Sequence, residues 1–111
     1  METKQALNCL AALAQETRLA VFRLLIRRGE AGMAAGDIAE RVGAPASTLS
    51  FHLKELERTG LVTVRRHQRQ MLYAVDYGAM RRFLDFLQKD CCQDHPEICG
   101  CAPADATPER R

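Results

Sequence analysis

Apolar residues recur at helical spacing from the start of the chain. Leu7, Leu10, Leu13 and Ala14 share one face of a helix predicted over residues 4–14, and Leu19, Phe22, Leu25 and Ile26 do the same over residues 17–28. Thr17 is placed to cap the second helix and Gly29 to end it. A glycine-containing stretch, residues 29–36, leads to a short helix over residues 37–42 with Ile38 and Val42 inward, stopped by Gly43. Ala44-Pro45 marks a turn, and Pro45 suits the first position of the helix that follows.

That helix, residues 46–59, has two distinct faces. At 100° per residue, Leu49, Leu53 and Leu56 fall within about 60° of one another and form a core stripe. Ser47, Ser50, Phe51, Lys54 and Arg58 lie opposite. Beyond Gly60 the period changes to two. Residues 61–65 and 71–75 read as strands, joined by Arg66-His67-Gln68-Arg69-Gln70 as a hairpin with a charged tip. Residues 77–92 return to helical spacing, with Asp76 as N-cap and Met80, Phe83, Leu84, Leu87 and Cys91 on one stripe.

The order is thus four helices, a two-stranded hairpin and a fifth helix. A short helix, a tight turn, a longer helix with a polar face and then a hairpin make a winged helix-turn-helix, mainly α with a β-hairpin wing. We expect one such domain over residues 1–92, followed by a cysteine-containing tail over residues 93–111 that is partly disordered.

Charge sharpens this picture. Net charge over the 111 residues is +2, but residues 41–69 carry six basic and two acidic side chains, whereas residues 91–111 carry two and four. The basic excess coincides with the helix-turn-helix and the hairpin, where a nucleic-acid surface would lie. No basic-then-apolar leader opens the chain and no apolar run reaches about 18 residues. The expectation is a soluble, cytoplasmic protein without membrane contact.

Several blocks, in order, resemble the ArsR/SmtB family of metal- and metalloid-sensing repressors. They are Ala14-Gln-Glu-Thr-Arg-Leu19, Asp37-Ile-Ala-Glu40, Ser47-Thr-Leu-Ser-Phe-His-Leu-Lys-Glu-Leu56, Gly60-Leu-Val62 and Arg65…Arg69…Tyr73, and the resemblance covers roughly residues 6–90. It implies a homodimer paired through the first and last helices, an inverted-repeat operator in double-stranded DNA, and release from that DNA when an ion binds. The chain departs from the family at three places. The run matching its arsenic box, Met33-Ala-Ala-Gly-Asp-Ile38, holds no thiol; residues 76–90 hold no histidine for its zinc site; and Gln68 stands where the wing usually turns on glycine.

On this reading Ser47 and Ser50 donate to phosphates or base edges, Lys54 meets a phosphate, and Phe51 can touch a thymine methyl. Thr48, at the edge of the same face, joins them. Arg65, Arg66 and Arg69 on the wing meet backbone or minor groove. His52, only about 60° from Leu49, is expected to be a partly buried structural residue.

Four of the five cysteines fall in the last 21 residues, in Cys91-Cys92-Gln-Asp-His-Pro-Glu-Ile-Cys99-Gly-Cys101. In a reducing compartment such a cluster suits soft-ion binding or redox chemistry better than a disulfide framework. His95-Pro96 disfavours helix, so the chain can loop back and bring Cys99 to Cys91 and Cys92. Three thiolates on one side of an ion suit As(III) or Sb(III). A fourth ligand, Cys101 or His95, would suit Zn²⁺ or Cd²⁺. A redox switch pairing Cys91 or Cys92 with Cys99 is the remaining thiol reading. Resemblance to an arsenic-responsive branch with relocated cysteines favours As(III) or Sb(III) on Cys91, Cys92 and Cys99, with Cys101 as an additional candidate. Cys9 is expected to be a buried small side chain. A thiol reductase is disfavoured: the thiols follow a helix C-terminus, where the dipole opposes thiolate formation, and Asp90 and Asp94 flank them. No catalytic cofactor is expected.

Overall fold

The structure is a computed structural model that describes residues 1–89. Five helices and three strands follow in the order α1 (Thr3–Leu13), α2 (Glu16–Arg28), β1 (Met33–Ala34), α3 (Ala35–Val42), α4 (Ala46–Arg58), β2 (Val62–His67), β3 (Gln70–Val75) and α5 (Tyr77–Gln88). This is the expected winged helix-turn-helix, with α3 and α4 as the helix pair and β2–β3 as the wing.

Local chemistry sets most boundaries. The Gln15 side chain accepts from the Arg18 amide at 2.8 Å and caps α2, the role expected of Thr17. Gly43 closes α3 in the left-handed region, as its missing Cβ allows. Pro45 is the extended N-cap of α4 and not its first helical residue. Asp76 caps α5 as expected, its carboxylate accepting from the Ala79 amide at 3.1 Å.

The sheet holds one strand that alternation does not reveal. β1 pairs antiparallel with β3, Met33 opposite Tyr73 and Ala34 opposite Leu72, giving the order β1-β3-β2. Two residues are too few for a period of two to show. The wing ladder also runs further than its sequence suggests. Arg66 pairs with Met71 and His67 with Gln70, so the connection shrinks from five residues to Gln68 and Arg69. Gln68 takes φ 59, the left-handed backbone that a glycine would supply in so tight a hairpin.

One apolar core joins all five helices and the sheet. Leu25, Ile38, Leu49, Leu53, Leu56 and Leu61 are almost fully buried in it. Helix α1 differs from expectation. It turns Ala6, Cys9 and Ala12 inward and leaves Leu7 58% and Leu10 42% exposed. Small residues let α1 lie close against its neighbours, and the larger leucines form a second apolar face. Leu19 of α2, expected inward, is also exposed, with Val21 and Leu24 buried instead. On α5, Ala79 and Phe83 are buried, whereas Leu87 is exposed.

Candidate nucleic-acid interface

Helix α4 shows the two faces expected of it. Leu49, Leu53 and Leu56 are buried, and Ser47, Thr48, Ser50, Phe51 and Lys54 are all exposed. Phe51 is 57% exposed and meets only one ring, that of His52, edge-on with centroids 5.7 Å apart. It does not pack beneath the wing. A short polar face with one apolar ring, at the N-terminal half of a helix preceded by a tight turn, is the shape that enters a major groove.

His52 is buried, as its position near Leu49 implies. Its Nδ1 lies 3.1 Å from Nη1 of Arg18. A guanidinium can only donate, so Nδ1 accepts and the ring proton resides on Nε2. The same guanidinium donates from Nε to the Ala12 carbonyl at 2.6 Å. That carbonyl belongs to the last turn of α1, where intrahelical donors are lacking. Arg18 therefore ties the end of α1 to the middle of α4. The Arg18 position is visible in the sequence, but its link to His52, 34 residues away, is not.

The three wing arginines divide. Arg65 donates from Nη1 to the Glu30 carbonyl at 3.1 Å and from Nη2 to the Ala31 carbonyl at 3.0 Å, holding the loop between α2 and β1. Arg66 donates from Nε to the Gln68 carbonyl at 3.3 Å. Arg69, in the two-residue loop, makes no hydrogen bond or ion pair among the described residues. All three are exposed. Within the wing, Tyr73 of β3 packs against the core; burial, and then the negative charge of Glu57, push its hydroxyl pKa above the ordinary tyrosine value.

The expected ion ligands Cys91, Cys92, Cys99 and Cys101, the alternative ligand His95, the end of the last helix near Cys92 and the tail over residues 93–111 lie outside the described residues. Among the described residues no three His, Cys, Asp or Glu side chains cluster as a metal site. Cys9 is the one cysteine that can be placed. It is fully buried, its thiol 4.0 Å from the Thr59 carbonyl at the end of α4, and burial raises its pKa.

Comparison with known proteins adds to this geometry. A helix-turn-helix domain family matches residues 13–65. The uncharacterized HTH-type transcriptional regulator YceK of Bacillus subtilis is 34% identical, covering 66% of this chain and 72% of its own. The homodimeric winged helix-turn-helix DNA-binding domain of Mb0332 from Mycobacterium bovis, described as a possible ArsR-family transcriptional regulator, is 30% identical. It covers 75% of each chain, with a TM-score of 0.63. The chain belongs to the ArsR family of winged helix-turn-helix transcriptional regulators. HlyU from Vibrio cholerae, solved in a form called reduced, is 25% identical with a TM-score of 0.60, covering 80% of this chain and 92% of that one. These relatives are transcriptional regulators, in keeping with a non-catalytic role. No described helix is long and apolar enough to cross a membrane.

Proposed function

We propose that this ArsR-family regulator is a homodimeric repressor of an inverted-repeat operator, released when As(III) or Sb(III) is held by thiolates of Cys91, Cys92 and Cys99. The observation that carries the DNA half is the exposed face of α4, Ser47, Thr48, Ser50, Phe51 and Lys54, set opposite a buried leucine stripe. Lys54, Arg66 and Arg69 supply phosphate contacts, while Ser47, Thr48, Ser50 and Phe51 reach base edges. Arg65 contributes by fixing the wing's base and presenting its charge there.

Pairing of two copies is supported by Leu7 and Leu10 on α1 and Leu87 on α5, large apolar side chains left in solvent by a single chain. Two recognition helices on such a dimer reach half-sites about one helical turn apart. An ion bound just beyond α5 acts next to this interface, and a dimer geometry that suits the ion need not suit the operator. Ion and DNA then weaken each other by the same factor.

The test is a gel-shift titration on the operator with and without arsenite, under reducing conditions. Release of the parent protein, with Cys91→Ser and Cys92→Ser binding normally but unresponsive, is expected. A parent-like response from either variant removes the thiol site from the reading. Zinc and cadmium arms test the four-ligand alternative with Cys101 or His95. The reduced form in which a relative was solved favours a second reading, a thiol redox switch. Release by mild oxidant, reversed by dithiothreitol and unaffected by arsenite, would select it.

A further inference from the structure

Four arginines outside the helix-turn-helix face and the wing line three adjoining shallow depressions that share walls and together form a groove. Arg23 and Arg27 lie four residues apart on α2 and so on one side of it. They line the depression between α2 and α3 together with Arg41, Leu24 and Val42. Toward the sheet the groove continues between Arg27, Arg28, Arg41 and Met33. It then opens beside Gln70, the first residue of the wing's return strand, where Arg28 and Arg41 again form its wall. All four arginines are exposed. The two ion pairs among the described residues, Arg58–Glu55 and Arg81–Asp85, involve none of them. Arg28 is held in place by its Nε, which donates to the Gly32 carbonyl at 2.8 Å.

Charge along the groove is graded. Asp37 and Glu40 line the end beside Gln70, and beyond Arg41 no acidic side chain lines it. Its positive potential is therefore strongest away from the wing. Arg23 and Arg27 are separated by about 6 Å along the helix axis, a run that one DNA strand spans with about two phosphates.

We propose that this groove is a second DNA-backbone contact, taking the phosphates of duplex that flanks the operator beyond the wing. It rests on the reading of the wing as a DNA contact, because continuity with Gln70 at the wing is what selects duplex DNA over an acidic protein. Contact there draws the flanking duplex toward α2 and adds affinity without reading sequence.

The test uses the full chain and two duplexes carrying the same footprinted operator, one ending at the half-sites and one extended by about 10 bp on each side, a helical turn. Affinity is measured by fluorescence anisotropy across salt concentrations. The parent should show a steeper salt dependence on the long duplex. Arg27→Gln with Arg41→Gln removes two such contacts from each subunit of the dimer, so it should lower the log–log slope there by roughly 4, about one unit for each phosphate no longer neutralised, and match the parent on the short duplex. Arg27→Lys with Arg41→Lys should keep the parent's slope, since a point charge suffices for a phosphate. Both side chains are exposed, so thermal melting should not change. An equal slope for parent and glutamine variant on the long duplex overturns the proposal, as does an equal loss on both duplexes. A parent that leaves no sequence-specific footprint from which to define the operator overturns the repressor reading as well.

Discussion

Replacing Arg18 with methionine tests the tie between α1 and α4. Methionine keeps an apolar stem of similar reach and removes the guanidinium alone. The structure then loses the 2.6 Å bond to the Ala12 carbonyl and the 3.1 Å bond to Nδ1 of His52. Hydrogen bonds from a charged donor contribute roughly 1.5 kcal/mol each, about 3 kcal/mol for the pair. Arg18 is half-buried, so water can reach the Ala12 carbonyl, whereas His52 is buried and its acceptor is harder to resolvate. The net cost should be about 2 kcal/mol, lowering Tm by roughly 8–15 °C for a domain of this size. Urea denaturation followed by circular dichroism at one fixed protein concentration measures it, because dimerisation would otherwise shift the midpoint. A cycle with His52→Phe isolates the pair, with an expected coupling near about 1 kcal/mol. A loss below about 0.5 kcal/mol for Arg18→Met, or a coupling of zero, would refute the tie.

Four further outcomes follow from single features. Gly32→Ala should cost more than about 2 kcal/mol, since φ is +75° and a Cβ there would stand 2.8 Å from the Tyr73 carbonyl oxygen; a parent-like urea midpoint would contradict it. Gln68→Gly should stabilise by up to about 1 kcal/mol by relieving a left-handed non-glycine residue, and a lower melting temperature would speak against strain at the wing tip. Leu7→Glu with Leu10→Glu should leave helix content unchanged while sedimentation shows a monomer; a persistent dimer would place the interface elsewhere. Cys9 should resist alkylation in the native state and react on unfolding. Its raised pKa means stability is full below the ordinary thiol range and falls as pH rises through it, so native reactivity matching a free thiol would contradict the burial.

The elements best read from the sequence are those with one buried face. In α4 the leucine stripe determines which side is free, and the candidate DNA face follows from it. Helix α1 is legible as a helix but not in its orientation. It carries a leucine stripe and a row of small residues, Ala6, Cys9 and Ala12, and periodicity cannot say which meets the core and which a second chain. Strand β1 depends on Gly32 bringing the backbone against Tyr73, a tertiary approach with no local pattern. The wing arginines read alike in sequence. Only the fold separates Arg65, which bonds to carbonyls 35 and 34 residues away, from Arg69, which has no such bond.

The two faces of α1 bear on how a signal could reach DNA. Its outer leucines are exposed and are the side chains that the proposed pairing would cover, and its inner face meets α4. Among the described residues, two hydrogen-bonded links run between α1 and α4: the Cys9 thiol near the Thr59 carbonyl, and Arg18 between Ala12 and His52. The first is a weak donor at 4.0 Å and gives little resistance to sliding. The second is charged, short and directional, and must break or carry α4 along when α1 shifts. His52 neighbours Phe51 on the same helix, edge-on to its ring, so displacement of His52 moves an exposed residue of the candidate DNA face. Under the proposed function, a change in dimer geometry would reach α4 most directly through Arg18. If that function holds, Arg18→Met should show a smaller spread of gel-shift affinities than the parent across operators whose half-site spacing differs by a base pair or two, and a parent-like spread would contradict the route through Arg18.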